Sequence, residues 1–79
     1  MNTRSDTTPK PGEMAVITKL PPGFLIDLPT EDQRAISEVV GKPILLNEYD
    51  EDGRAELEFT DQRGVIHFIY VRSEFLRSA

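Results

Sequence analysis

Apolar and polar residues alternate in four segments of the chain, and each segment is predicted to form a β-strand. The first, MAVITKL, covers about residues 14–20 and is rich in β-branched side chains. The other three follow closely in the C-terminal half, as PILLNEY, RAELEF and VIHFIYV. Alternation with a period of two places one set of side chains on a buried face and the other set on the opposite face. The chain is therefore expected to be mainly β.

Polar loops that end in glycine join the last three strands. DEDG connects the first pair and DQRG connects the second. A three-residue loop with glycine in the left-handed conformation is a common hairpin connection, and here it places Phe59 opposite His67. A two-residue loop would shift the register by one and would require positive φ at Gln62 and Arg63, which is costly for those side chains. The three-residue loop is therefore the prediction.

The segment TEDQRAISEVVG predicts a short helix between the first strand and the three later ones. Thr30 fits the N-cap, Gln33 completes a capping box, and Gly41 stands where a helix commonly ends. Four apolar residues share one face of this helix: Ala35, Ile36, Val39 and Val40. A helix of this length is not stable alone in water, so this face is expected to dock on the sheet.

The remaining segments are assigned by composition. Residues 1–12 hold two prolines and no large apolar side chain beyond Met1, which predicts a disordered tail ahead of a single domain over residues 13–79. In PPGFLIDLP, Pro22 and Gly23 suit a type II turn, and the apolar residues that follow are expected to fold back onto the core. The terminal SEFL is long enough for one helical or 3-10 turn.

Size and charge narrow the classes of function. The chain has 79 residues, no cysteine and a net charge of −5, so one small domain without disulfides is expected. An acidic chain whose basic residues are scattered lacks the electrostatic attraction that dominates nucleic-acid binding, so nucleic acid is an unfavoured partner. We find neither an apolar leader segment nor a membrane-length apolar run, and a cytoplasmic protein without a membrane partner is expected.

Three groups of residues are candidates for chemical sites. Glu48, Asp50 and Asp52 match the first calcium-loop positions, but the twelfth is Phe59 instead of glutamate, so a solvated hairpin turn is predicted. Glu56 and Glu58 resemble a carboxylate pair for acid–base chemistry, but they alternate with core residues as in any amphipathic strand. His67, the single histidine, is expected to be a core side chain with one ring nitrogen hydrogen-bonded. We therefore predict no catalytic residues, no metal site, no cofactor and no enzymatic activity.

The same register leaves an apolar stripe on the nominal outer face of the sheet. Ile66, Phe68 and Tyr70 form this stripe, beside Glu58 and Glu56. Either the helix or the PPGFLIDLP loop covers it, or it is exposed as the surface for a protein partner or a self-dimer. These five residues are the candidate partner surface.

GKPILLNEYDEDGRAELEF followed by GVIHFIYV resembles the glycine–strand–turn–strand meander of small, uncharacterised bacterial SH3-like barrel proteins. The resemblance covers about residues 13–76. It implies a small SH3-like barrel of four or five antiparallel strands, with one short helix inserted after the first strand and a terminal 3-10 turn. The chain has no tryptophan, so the proline-peptide binding of signalling SH3 domains is not carried over.

What the resemblance implies for function is a non-enzymatic protein-interaction or accessory module. Two alternatives stay open. One is a small barrel that binds single-stranded nucleic acid, because such barrels hold bases on aromatic stripes. The other is an accessory subunit of a larger enzyme.

Overall fold

The computed structural model describes residues 8–79. Its elements are β1 (Met14–Ile17), α1 (Thr30–Val39), β2 (Pro43–Tyr49), β3 (Arg54–Thr60), β4 (Ile66–Arg72), a 3-10 turn (Ser73–Phe75) and β5 (Leu76–Ser78). The strands form one sheet in the order β4-β3-β2-β1-β5, and all neighbours are antiparallel. The predicted mainly β class, with a helix after the first strand and a terminal 3-10 turn, is confirmed. The sheet is open, with β4 and β5 as its edges, so the closed barrel is not part of the observed fold.

Both hairpin loops have the predicted length. In the second loop, Asp61 N–H donates to Val65 O at 2.9 Å and Gly64 N–H donates to Asp61 O at 3.0 Å. Gly64 has φ of 85°, and no other residue type within residues 8–79 has positive φ. Phe59 therefore pairs with His67, as predicted. The register of β3 and β4 follows from the loop.

The core lies on one face of the sheet, where it is covered by α1. Alternate strand residues supply most of this core: Ala15, Ile17, Ile44, Leu46, Ala55, Leu57, Phe59, Ile69 and Val71. The helix contributes Ala35 and Ile36 to the same cluster, so its predicted apolar face docks as expected. Because Ala15 and Ile17 face this core, Met14 and Val16 face the other side of the sheet.

The segment between β1 and α1 also packs against the core. Phe24 N–H donates to Pro21 O at 3.1 Å, and Gly23 has φ of 75°, which confirms the predicted turn at Pro22 and Gly23. Several partly buried side chains of this segment touch the core cluster: Leu20, Phe24, Leu25 and Leu28. β1 ends at Ile17, earlier than predicted.

The start of α1 differs from the predicted capping box. Pro29 occupies the N-cap position with φ of −58° and ψ of 151°, and no side chain caps the helix. Thr30 is already helical, so its hydroxyl does not serve as the cap. Pro29 has no backbone N–H for a glutamine side chain to bind, and Gln33 Nε2 instead donates to Leu28 O at 2.8 Å. The predicted Thr30 cap is therefore wrong.

Part of the predicted tail lies against the sheet. Pro9 is fully buried, and Tyr49 donates its hydroxyl hydrogen to Pro9 O at 2.7 Å. Gly12 N–H donates to Leu46 O at 2.8 Å, beside the bond from Leu46 N–H to Glu13 O at 3.0 Å. Residues 8–12 thus extend the contacts of β1 with β2. The rest of the predicted tail, residues 1–7, lies outside the described residues.

The chain ends in a strand that the sequence analysis assigned only to a turn. After the 3-10 turn, β5 pairs with β1, with Leu76 opposite Ile17. Thr18 donates both its backbone N–H and its hydroxyl to Phe75 O, at 2.8 and 3.1 Å. These bonds hold the turn where β5 begins. In the described part of the chain, no helix is long and apolar enough to cross a membrane.

Two substitutions, at Thr30 and at Gln33, test how the helix starts. Thr30→Ala is expected to change the free energy of unfolding little, because no cap bond is lost. Gln33→Ala removes the bond to Leu28 O and is expected to cost about 1 kcal/mol. Urea unfolding followed by circular dichroism measures both. A larger loss for Thr30→Ala than for Gln33→Ala would contradict this helix start.

The contribution of residues 8–12 is tested by comparing two truncated chains, one beginning at residue 8 and the other at residue 13. Both lack residues 1–7, so their difference reports on residues 8–12 alone. The shorter chain is expected to melt at lower temperature, by several degrees, because it loses the Tyr49–Pro9 and Gly12–Leu46 hydrogen bonds and the buried Pro9. Equal midpoints would show that these contacts add nothing to stability.

Candidate interaction surface

The stripe of Ile66, Phe68 and Tyr70 is exposed on the face of the sheet opposite the core. Ile66 and Phe68 are each 55% exposed and Tyr70 is 43% exposed. Neither α1 nor the loop before it covers them, because both pack on the core face. The stripe is therefore exposed and is not covered by the helix or the loop.

Two carboxylates lie beside the stripe on the neighbouring strand. Glu58 pairs with Phe68 and Glu56 pairs with Tyr70, as the predicted register requires. Asn47 Nδ2 donates to Glu56 Oε2 and to Glu58 Oε1, each at 3.0 Å. One amide thus holds both carboxylates in place behind the apolar side chains.

Asn47 reaches both carboxylates because of an irregularity in β2. The pairing of β2 with β3 shifts between Leu46 and Glu48, which leaves Asn47 as an extra residue in the ladder. The extra residue resets the alternation of β2, so that Glu48 faces outward and Tyr49 faces the core. Leu46 is buried on one side of it and the partly buried Tyr49 packs on the same core beyond it. The sequence analysis missed Asn47 because a bulge has no local sequence signal here.

Tyr70 is anchored at both its hydroxyl and its ring. The hydroxyl donates to Glu56 Oε1 at 3.1 Å, and the guanidinium of Arg54 lies 5.8 Å from the ring centroid. The hydrogen bond to Glu56 and its negative charge raise the pKa of Tyr70 above the ordinary tyrosine value. Tyr70 therefore presents a neutral, oriented ring at neutral pH.

The stripe continues across the sheet in one row of paired residues. Phe68 pairs with Glu58, Glu58 with Leu45, and Leu45 with Met14. Met14 is exposed and Leu45 is partly buried. The β1–β2 pairing joins residues about thirty positions apart, so the sequence analysis did not place Met14 or Leu45 on this surface.

The charged side chains of the first hairpin loop bind groups of the same loop. Asp50 Oδ1 accepts hydrogen bonds from the N–H groups of Asp52 and Arg54, and Oδ2 accepts one from Arg54 Nε, all at 2.9 Å. The N–H of Arg54, more than any other group, holds the pKa of Asp50 below its usual range. The predicted solvated hairpin turn is confirmed. No group of histidines and carboxylates within residues 8–79 is arranged to hold a metal ion.

His67 lies on the core side of the sheet, as predicted. Its side chain is 10% exposed, and its ring stacks on Phe59 with centroids 5.0 Å apart. Nε2 is hydrogen-bonded to Asp61 Oδ2 at 2.8 Å, and Nδ1 is 4.0 Å from Asp32 Oδ1 on α1. His67 therefore links the core to the second loop and the helix, away from the exposed stripe.

Asp61 is the partner that fixes both the histidine and the loop. Oδ1 accepts hydrogen bonds from the N–H groups of Arg63 and Val65, at 2.8 and 3.0 Å. The pKa of Asp61 lies well below its usual range, mainly because of the hydrogen bond with His67 and next because of the bond from Val65 N–H. The Asp61 side chain is 5% exposed, whereas the two bonds to the loop N–H groups lie at the surface.

The role of Asp61 predicts an acid-sensitive fold. A carboxyl group whose pKa is lowered by folding stabilises the protein above its ordinary value, near 4, and loses that effect as the pH falls towards the folded value. Asp61→Asn is therefore expected to lower stability at neutral pH and to reduce the loss of stability below about pH 4. Urea unfolding at a series of pH values measures this.

The matched control is Glu51→Gln, which removes one charge from the exposed first loop. It is expected to leave the acid dependence of the wild type in place. If both variants kept the wild-type dependence, Asp61 would not be the group responsible.

Comparisons with known proteins add no relative for this chain. No family model matches it, and neither the curated proteins nor the solved structures contain a significant match. The surface is therefore interpreted from its own residues.

Proposed function

We propose that the chain is a non-enzymatic protein-interaction or accessory module, and that Ile66, Phe68 and Tyr70 with Glu56 and Glu58 form its docking surface. The observation that carries the proposal is the exposed row of three large apolar side chains on one strand. Contiguous apolar surface of this kind is typical of sites where proteins associate. The cytoplasmic location expected from the sequence remains a prediction.

The charges around the stripe favour a basic partner. Glu56 and Glu58 stand on one side of it, where they are oriented by Asn47. Two arginines lie on the same face at the Tyr70 end of the stripe. Arg54 is bound to Asp50 at 2.9 Å and lies 3.5 Å from Asp52, so much of its charge is balanced within the loop, and Arg72 donates to Asp52 O at 3.1 Å. An apolar centre bordered by carboxylates fits a partner surface with an apolar centre and a basic rim.

The same charges weigh against the single-stranded nucleic-acid alternative. Phe68 and Tyr70 offer exposed rings on which bases could stack. The carboxylates of Glu56 and Glu58 lie directly beside those rings and would repel a phosphate backbone. The surface therefore suits protein better than nucleic acid.

An SH3-like relationship is part of the proposal. The order of strand, helix, three-strand meander, 3-10 turn and final strand supports it. So does the position of β1 between β2 and β5, because it brings the two ends of the domain together. An accessory or adaptor role is the function that this relationship implies. Attachment to a larger enzyme would use the same surface.

The proposal is tested by affinity capture from a lysate of the native host with the immobilised protein. The double variant Phe68→Ala, Tyr70→Ala is expected to lose captured proteins that the wild type retains, because the apolar centre is removed. Ile26→Ala is the matched control, since Ile26 is an exposed apolar residue on the loop before α1. Loss of the same proteins with Ile26→Ala would contradict a specific role for the stripe.

Folding and binding are separated by a second pair of substitutions. Leu57→Ala and Ile69→Ala remove buried side chains and are expected to cost about 2–5 kcal/mol each. Phe68→Ala should cost much less, because its side chain is about half exposed. Urea unfolding of the three variants measures this, and equal losses would place Phe68 in the core. Salt-sensitive binding of homopolymer single strands would favour nucleic acid instead.

A further inference from the structure

β4 is an unprotected edge strand. It has seven residues, and β3 is its only hydrogen-bonded neighbour among the described residues. Edge strands of native proteins are commonly protected by proline, by bulges or by charged side chains. β4 contains no proline, its pairing with β3 has no register shift, and Arg72 is its only fully charged residue. By contrast β5, at the other edge, has three residues.

Within residues 8–79, the backbone groups of β4 that have no partner on β3 belong to Arg72 and the residues of the exposed stripe. Asp61 and Val65 form a hydrogen-bonded pair at the start of the hairpin. Hydrogen-bonded pairs recur at every second residue of an antiparallel ladder, so His67, Ile69 and Val71 direct their backbone groups to β3. Ile66, Phe68, Tyr70 and Arg72 direct theirs away from the sheet. A strand added at this edge would bond to the residues whose side chains are exposed.

We propose that β4 pairs antiparallel with β4 of a second copy of this chain and joins the two sheets. In the register that uses the whole of both strands, Phe68 of one copy lies opposite Tyr70 of the second copy. Ile66 then lies opposite Arg72. Because the two-fold axis is perpendicular to the sheet, both exposed stripes face the same side.

Charge selects the antiparallel direction of the pairing. Antiparallel pairing places Arg72 beside Ile66, whereas parallel pairing would place Arg72 beside Arg72, and like charges opposite each other destabilise a sheet. Glu58 of one copy is three strand spacings, about 14 Å, from β3 of the second copy. That distance exceeds the screening length of about 8 Å at physiological salt. The carboxylates of Glu56 and Glu58 in the two copies therefore repel each other only weakly.

The dimer deepens the proposed function, on which it rests for the use of the stripe as a docking surface. Edge pairing leaves the outer face open. The two stripes then form one apolar centre with carboxylates of Glu56 and Glu58 on both outer sides. This combined surface fits a partner whose apolar centre has basic residues on both sides. A single stripe has carboxylates on one side only.

Amide hydrogen exchange tests the pairing on the wild-type chain. In a monomer, the amides of His67, Ile69 and Val71 exchange slowly while those of Phe68 and Tyr70 exchange fast, because only the first group is bonded to β3. In the dimer all five are expected to be slow. The exchange rates of Phe68 and Tyr70 should therefore fall at least tenfold as protein concentration rises through the dimer dissociation constant.

Variants test the same edge by sedimentation equilibrium. Phe68→Pro removes an outward N–H, which an edge strand tolerates, and should raise the dissociation constant at least about thirtyfold through the loss of two hydrogen bonds per dimer. Phe68→Ala keeps the backbone donor and should weaken the dimer less. Ile26→Ala should leave the constant unchanged. If Phe68→Pro fails to fold, the exchange pattern of the wild type decides the question.

Three outcomes would overturn the inference. They are a chain that is monomeric at millimolar concentration, a dimer in which the Phe68 and Tyr70 amides still exchange fast, and a monomer in which those amides are slowed only by an added peptide of alternating lysine and valine. The last would show that a foreign basic strand occupies the edge. A monomer that still captures proteins through the stripe would leave the proposed function standing, whereas a dimer that captures none would remove the proposed function alone.

Discussion

The left-handed glycine at the end of each three-residue hairpin loop is the constraint on which both faces of the sheet depend. Gly53 and Gly64 have φ of 81° and 85°, a conformation that is costly for other residues. In each loop an aspartate, Asp50 or Asp61, accepts hydrogen bonds from two backbone N–H groups of the turn. The loops therefore allow one register, and a shift by one residue would exchange the buried and exposed side chains of β4.

One short helix cannot cover both faces of a five-stranded sheet. α1 has ten residues and contributes two buried side chains to the core. The loop before α1 packs beside it on that face, and residues 8–12 add contacts beside β2. Within residues 8–79, nothing covers the large apolar side chains on the outer face near β4. Its polar residues are already bonded among themselves, as Asn47, Glu56 and Tyr70 show.

The features that could be predicted from the sequence are those set by nearby residues. The register of β3 and β4, the inward position of His67 and the composition of the stripe all follow from one loop of three residues. The capping box failed because Pro29, one position earlier, took the extended conformation that the pattern assigned to Thr30. The position of a helix start depends on the residues that precede it as well as on the capping pattern, and here Pro29 moved the N-cap one position earlier.

Other features depend on contacts between distant parts of the chain. Pro9 is held by Tyr49, forty positions away, and composition alone gives residues 8–12 no reason to be ordered. β5 is a strand because β1 offers it a free edge. Whether the stripe is covered depends on where the loop of residues 18–29 packs, which local patterns do not determine. The sequence therefore predicted which residues form the candidate surface but did not predict whether they are exposed.

The pleat of β4 links the core and the candidate surface so that neither can change independently. The residues that bury their side chains, Ile69 and Val71, are also those that bond to β3, and the exposed residues Phe68 and Tyr70 carry the outward backbone groups. An inserted or deleted residue in the second loop would turn the apolar core outward and the stripe inward at once. Asp61 and Gly64 therefore control the surface without being part of it. The stripe stays on the outer face only while those two loop residues, and His67 bonded to Asp61, keep the register.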